Sequence, residues 1–124
     1  MAILLAVALG GAVGSALRFI LSKLVQEKAG IGFPVGTFFV NLLGAFLIGL
    51  LFALLVERLS FASHIRAFLI TGLLGGFTTF STFSYESVNL LKDGELLMFF
   101  AYFAGTNLAG LVLTALGYGL GKVL

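Results

Sequence analysis

Four long apolar runs, parted by short charged clusters, take up almost the whole chain. They cover roughly residues 2–24, 33–56, 65–91 and 96–120 of 124. Each meets or exceeds the ~20 residues that a helix needs to cross ~30 Å of hydrocarbon. The residues are 60% hydrophobic and 10% charged, with a mean hydropathy of +1.20. A soluble domain of this length cannot bury that much apolar surface, so the bilayer must be the solvent. The expected architecture is one all-α membrane domain over 1–124 with four transmembrane helices. Four crossings leave no room for a soluble catalytic domain.

Within the third run stands a stretch unlike the others: Gly72-Leu-Leu-Gly-Gly-Phe-Thr-Thr-Phe-Ser-Thr-Phe-Ser-Tyr85. Glycines and hydroxyl side chains weaken helix continuity, and hydroxyls can bond the backbone groups that a break sets free. In a bilayer an interrupted helix survives only where protein or a watery path covers it. The third helix is therefore expected to break near Gly75–Ser81, at an ion or substrate site. Freed carbonyls would suit a hard cation. The hydroxyls of Thr78, Thr79, Ser81, Thr82 and Ser84 would bond the remainder. Phe80 and Phe83 are three apart, so their rings should share a side. Ring edges are electropositive and can face an anion. Ordinary packing against lipid or core is the competing role, and the chain has 14 phenylalanines.

Polar and small residues mark one face of each remaining helix. In the first run Gly11, Gly14, Ser15 and Arg18 share a face. Small residues there let another helix come close. Arg18 has two options, to snorkel toward the interface near Lys23 or to face the protein interior and attract anions. Pro34 suits the first turn of the second helix. Thr37 and Asn41 lie four apart, and a buried amide in a membrane must be bonded. Asn41 is then either helix–helix glue or a donor lining a path. The fourth run repeats Gly105, Thr106, Asn107, Gly110, Thr114, Gly117 and Gly121, which gives it a protein-facing side. Asp93-Gly94 reads as a turn.

Several function classes drop out. No intramembrane carboxylate pair, His/Asp/Glu cluster, Ser-His-Asp set or phosphate loop exists, so an enzyme is not expected. The single histidine, His64, lies in the loop 57–66 without a ligand partner at metal spacing. No cysteine is present, so disulfides and thiolate metal sites are excluded. The start Met-Ala-Ile-Leu-Leu lacks the basic region of a cleaved signal peptide. Scattered basic residues at membrane borders give no nucleic-acid signal. With four spans, Arg58, Arg66 and Lys122 fall on one side, and Lys23, Lys28 and Lys92 on the other. This balance either leaves orientation to the first helix or lets the chain insert both ways.

The stretch Gly-Gly-Phe-Thr-Thr-Phe-Ser-Thr-Phe-Ser at 75–84 strongly resembles the signature of the Fluc (CrcB) family of fluoride channels. Gly36-Thr37-Phe-Phe-Val-Asn41-Leu-Leu-Gly44, with Phe46 and Gly49, is similar to that family's second helix. Gly10-Gly-Ala-Val-Gly14-Ser-Ala-Leu-Arg18 is similar to its first. The resemblance covers nearly the whole chain. It implies a fluoride-selective channel of a bacterial plasma (inner) membrane that releases fluoride passively and protects the cell from it. It implies an antiparallel, dual-topology homodimer with two fluoride paths along the interface. It also implies a structural Na⁺ on the twofold axis, held by main-chain carbonyls at Gly75 and Thr78. The pore phenylalanines of the family fall on Phe80 and Phe83, its pore amide on Asn41 and its first-helix arginine on Arg18. Ser81, Thr82, Thr37, Tyr102 and Thr114 are implied as further pore groups, with Glu86 near a pore mouth.

Two other classes compete. A small proton-coupled exporter of the small multidrug resistance type is also short and four-helical, but coupling needs an ionisable group near the midplane. The first run has no carboxylate, and Glu86 lies near a span end. A structural subunit of a larger assembly would need no polar track at all.

Overall fold

A computed structural model describes all 124 residues, and 101 backbone–backbone hydrogen bonds build it almost entirely from helix. Four helices are long and apolar enough to cross a membrane: Ala2–Ala29, Val35–Arg58, Ser63–Lys92 and Leu96–Val123. Gly30 closes the first helix in the left-handed conformation (φ 59°), its N–H reaching Gln26 O at 3.1 Å. Pro34 stands as the cap just before Val35, one position earlier than the helical turn expected of it. Gly94 (φ 73°) makes the turn after Asp93.

Glycines set how the helices meet. The first helix lies against residues 63–77, with Gly10 facing Gly72 and Leu73, Gly14 facing Leu73 and Phe77, and Gly76 facing Gly11 and Ser15, backbone to backbone. A Cβ on Gly76 would sit 2.7 Å from the Gly11 carbonyl oxygen, and one on Gly72 equally close to that of Val7. Such separations leave no room for any side chain. This is the close approach of small residues that membrane helices use in place of a hydrophobic drive. The second and fourth helices pair in the same manner. A Cβ on Gly49 would come within 2.8 Å of Tyr118 N, and the Thr114 hydroxyl donates to Ala45 O at 2.8 Å. At one end of this pair Glu57 accepts from Tyr118 (2.5 Å) and Lys122 (2.9 Å), while Arg58 donates to Gly121 O.

Only 19 of the 124 residues are buried within the chain, and large apolar side chains such as Leu97 (85% exposed) and Leu111 (72%) face outward. A water-soluble chain would hide them. Here they need lipid or another protein surface.

The third span is interrupted, over a shorter stretch than expected. It runs as Ser63–Arg66, Ala67–Leu74 and Gly75–Phe77, and resumes at Phe80–Lys92. Only Thr78 (φ −94°, ψ 157°) and Thr79 (φ −149°, ψ 120°) are extended. The Gly75-Gly76 doublet does not break the helix. Gly76 removes the side chain that would strike the first helix, and Gly75 has nothing within 4 Å of where a Cβ would stand. Ala67–Leu74 is wound with the wider π pitch, as is Phe52–Arg58 at the end of the second helix. Extended π winding is rare, and no residue pattern marks it in advance.

Candidate permeation site

Breaking the third helix exposes backbone groups, and the neighbours answer them one by one. Asn41 accepts from Thr79 N through Oδ1 (2.8 Å) and donates through Nδ2 to Thr79 O (3.1 Å). Its amide thus pairs with an extended residue as a neighbouring strand would. Because Thr79 N–H is a donor, Oδ1 must face it, which fixes the orientation of the amide. One Nδ2 hydrogen is left over. Arg18 Nε donates to Gly76 O at 2.9 Å, so the guanidinium is held at the break and does not reach for the interface. The Thr78 hydroxyl returns to Leu74 O (3.1 Å). Thr79 caps the second half, its Oγ1 accepting from Thr82 N (3.2 Å), donating to Thr82 Oγ1 (3.2 Å) and lying 3.3 Å from Ser81 Oγ.

Beside the break lies an open groove of about 470 Å³. Asn41, Phe80, Phe83, Thr114, Gly75 and Thr78 all line it. Sequence reasoning had named each of these. Thr79, expected only as a hydroxyl that bonds the freed backbone, and Thr106 and Asn107, expected only on the polar face of the fourth helix, line the groove as well. Thr106 Oγ1 is shut off from solvent and has no partner within the chain. Its signal was available: Tyr102, Thr106, Gly110 and Thr114 are spaced four apart, on one helical face. Thr37, Ser81, Thr82, Tyr102, Arg18 and Glu86 do not line the groove.

Phe80 and Phe83 lie side by side, ring centroids 6.0 Å apart, but in unlike surroundings. Phe83 is buried (6% exposed) and Phe80 is 80% exposed. Behind Phe83 comes Tyr102, wholly buried, with ring centroids 5.0 Å apart. The Tyr102 hydroxyl donates to Glu86 Oε1 at 2.8 Å. Glu86 lines a second, polar cavity of about 270 Å³, together with Gln26, Pro34, Asn89 and Asp93. The order is therefore groove, Phe83, Tyr102, Glu86, polar cavity. Gln26 steadies the rim of that cavity, donating to Ile31 O and Phe33 O and accepting from Gly36 N. Buried Thr37 lies one turn before Asn41. No cluster of three or more His, Cys, Asp or Glu side chains is positioned to hold a metal ion.

Residues 5–118 match the family described as CrcB-like protein, Camphor Resistance (CrcB). The chain belongs to the CrcB family. Among its relatives is a protein of Aquifex aeolicus named Fluoride-specific ion channel FluC, 64% identical over 124 residues and covering all of both chains. A relative of the same name in Thermus thermophilus is 52% identical over 120 residues, 97% of this chain and 95% of that one. Another in Chloroflexus aurantiacus is 46% identical over 119 residues, 96% of this chain and 94% of that one. With bacterial relatives over its full length and four apolar helices, this CrcB-family chain is a multi-pass bacterial membrane protein.

Proposed function

We propose that this chain is a fluoride-selective channel of the plasma membrane, carrying fluoride passively out of the cell. The observation that carries the reading is the groove beside the clamped break. There a fixed amide hydrogen of Asn41 and the rings of Phe80 and Phe83 meet one space, with the unpartnered Thr106 hydroxyl set in its wall. Fluoride is small and strongly hydrated, so it needs donors that already point at it. Asn41 is such a donor, because its other bonds hold it still and no acceptor competes for the last hydrogen. Ring edges add weak positive charge without binding the ion tightly. The relatives carry the name of this activity. Nothing in the site resembles catalytic machinery, and no carboxylate stands in the apolar run 2–24 of the first helix to couple transport to protons.

The working unit in this reading is an antiparallel, dual-topology homodimer. Phe80 and the groove are open on one side in a single chain, and a second copy would close them. The three-against-three balance of Lys and Arg suits insertion both ways. A structural Na⁺ belongs to the same reading. Side chains donate to the carbonyls of Leu74, Gly76 and Thr79, and none donates to Gly75 or Thr78, both of which line the groove. They lie at the C-terminal end of a helix, where the backbone dipole favours a cation. Gly75 and Thr78 would hold the ion by main-chain oxygen, and the ion would offset the negative ends of two converging helices.

Purified protein in liposomes tests the channel directly. Fluoride should leave passively and chloride should be retained. Comparable fluoride and chloride release, or release only with an imposed proton gradient, overturns the reading.

A further inference from the structure

We infer that Gly44 is a positioning residue: it seats the methyl group of Thr78, and with Asn41 it makes the second helix a template that shapes the break. Asn41 and Gly44 are three apart, on one face of that helix. Gly44 is buried, and a Cβ on it would overlap Thr78 Cγ2 and lie 3.6 Å from Phe77 Cδ2. Asn41 meanwhile takes both backbone groups of Thr79. Three successive residues, Phe77, Thr78 and Thr79, are thus registered against two positions of one helix.

Thr78 cannot step aside by rotating. Its χ1 is restricted by β-branching, and its hydroxyl is engaged with Leu74 O. Turning the methyl away from residue 44 swings the hydroxyl off that carbonyl. A side chain at 44 therefore forces a choice between losing the hydroxyl bond and shifting the backbone of 77–79. Either outcome moves the groove wall that Thr78 and Phe80 form. Gly44 acts through Thr78 and touches no ion.

The steric origin makes the test specific, because Thr78→Ser removes Cγ2 and keeps the hydroxyl. Gly44→Ala in the otherwise unchanged protein should lower fluoride release from liposomes about tenfold or more, as overpacking of a fixed contact does. Whatever level Thr78→Ser sets by itself, adding Gly44→Ala to it should change that level by no more than about threefold, the mark of two coupled sites. Gly44→Ala with Thr78→Val, which retains a methyl there, should not recover. Melting temperature should follow the same cycle. Should Gly44→Ala fail to fold, a folded Gly44→Ala/Thr78→Ser protein supports the inference and an unfolded one overturns it. Equal losses on both backgrounds, or no loss from Gly44→Ala, also overturn it. The flux arm rests on the channel reading. An unsubstituted protein that passes no fluoride sinks that reading, and the melting cycle then decides the contact alone: coupling supports it and additivity overturns it.

Discussion

Residues 63–77 and Phe80–Lys92 belong to one span, yet they meet the rest of the chain by different chemistry. The first half has apolar Ala67–Leu74 at its centre, and its Gly72 and Gly76 lie against Val7, Gly10, Gly11 and Ser15 of the first helix with backbones touching. The second half carries Ser81, Thr82, Ser84, Glu86, Ser87 and Asn89 and leans on the fourth helix mainly through rings. Phe83 meets Tyr102 at 5.0 Å and stacks on Phe103 at 6.4 Å. Backbone contact is unforgiving, since neither side has a torsion to yield. Ring contact is adjustable, and it leaves polar groups free along the same helix. The half that must not move is thus built of glycine, and the half that carries the ring pair of the proposed path is built of aromatic and hydroxyl side chains.

The largest expected effect lies in the first half. Gly76→Ala should lower stability by ~1–3 kcal/mol, because the added carbon meets main chain of the first helix. Gly76→Leu should yield no folded protein. Melting in detergent and size-exclusion profiles read both. An unchanged melting temperature for Gly76→Ala would erase the contrast between the halves.

The joint between them comes next. Asn41→Leu removes a two-bond clamp and leaves the part-buried Thr79 N–H and C=O without their partners, at a cost of ~1–3 kcal/mol. Fluoride release should vanish with it. Asn41→Asp keeps the acceptor for Thr79 N and loses the donor, so it should fold better than Asn41→Leu and still fail to conduct. Conduction by Asn41→Asp at the unsubstituted rate would remove the amide hydrogen from the proposed path.

The ring pair separates packing from permeation within the second half. Phe83 is buried and Phe80 is exposed, so their stability effects should differ while their transport effects agree. Phe83→Ile should destabilise by ~1.5 kcal/mol or less, and Phe80→Ile by close to nothing, since volume-conserving apolar swaps are tolerated. Both should reduce fluoride flux, because both lose the electropositive edge. Full flux in both variants would return the rings to packing alone.

Much of this arrangement was legible in the residues. Four apolar runs gave the four helices, and the Thr/Ser/Phe motif marked the break. The polar spacing of the fourth run pointed to Thr106 and Thr114. Partners distant in sequence were harder to read. That Asn41 would meet Thr79, or Arg18 the Gly76 carbonyl, depends on how far each helix slides along its neighbour, which periodicity does not encode. The glycine doublet misled for a related reason. Glycine serves both to break a helix and to admit a neighbouring one, and for Gly76 only the position of the first helix decides between them. The π winding of Ala67–Leu74 has no residue signature at all.

The smallest expected effect tests how the second half begins. Thr79 caps Phe80–Lys92 through its hydroxyl, which also donates to Thr82 and lies within reach of Ser81. Its backbone is held separately by Asn41, so the cap and the clamp are distinct functions of one residue. Thr79→Ala deletes the first and leaves the second. Loss of an N-cap costs ~1 kcal/mol, well below the effect of losing the clamp. Thr79→Ser restores the accepting oxygen and should recover most of that loss. Thermal melting compares the three proteins, with fluoride flux as the second measure. The contrast predicts a modest, graded response in Thr79→Ala, because a half held by rings and a cap can readjust where one held by glycine cannot. A collapse as complete as that expected of Gly76→Leu would mean that the second half is as rigidly seated as the first.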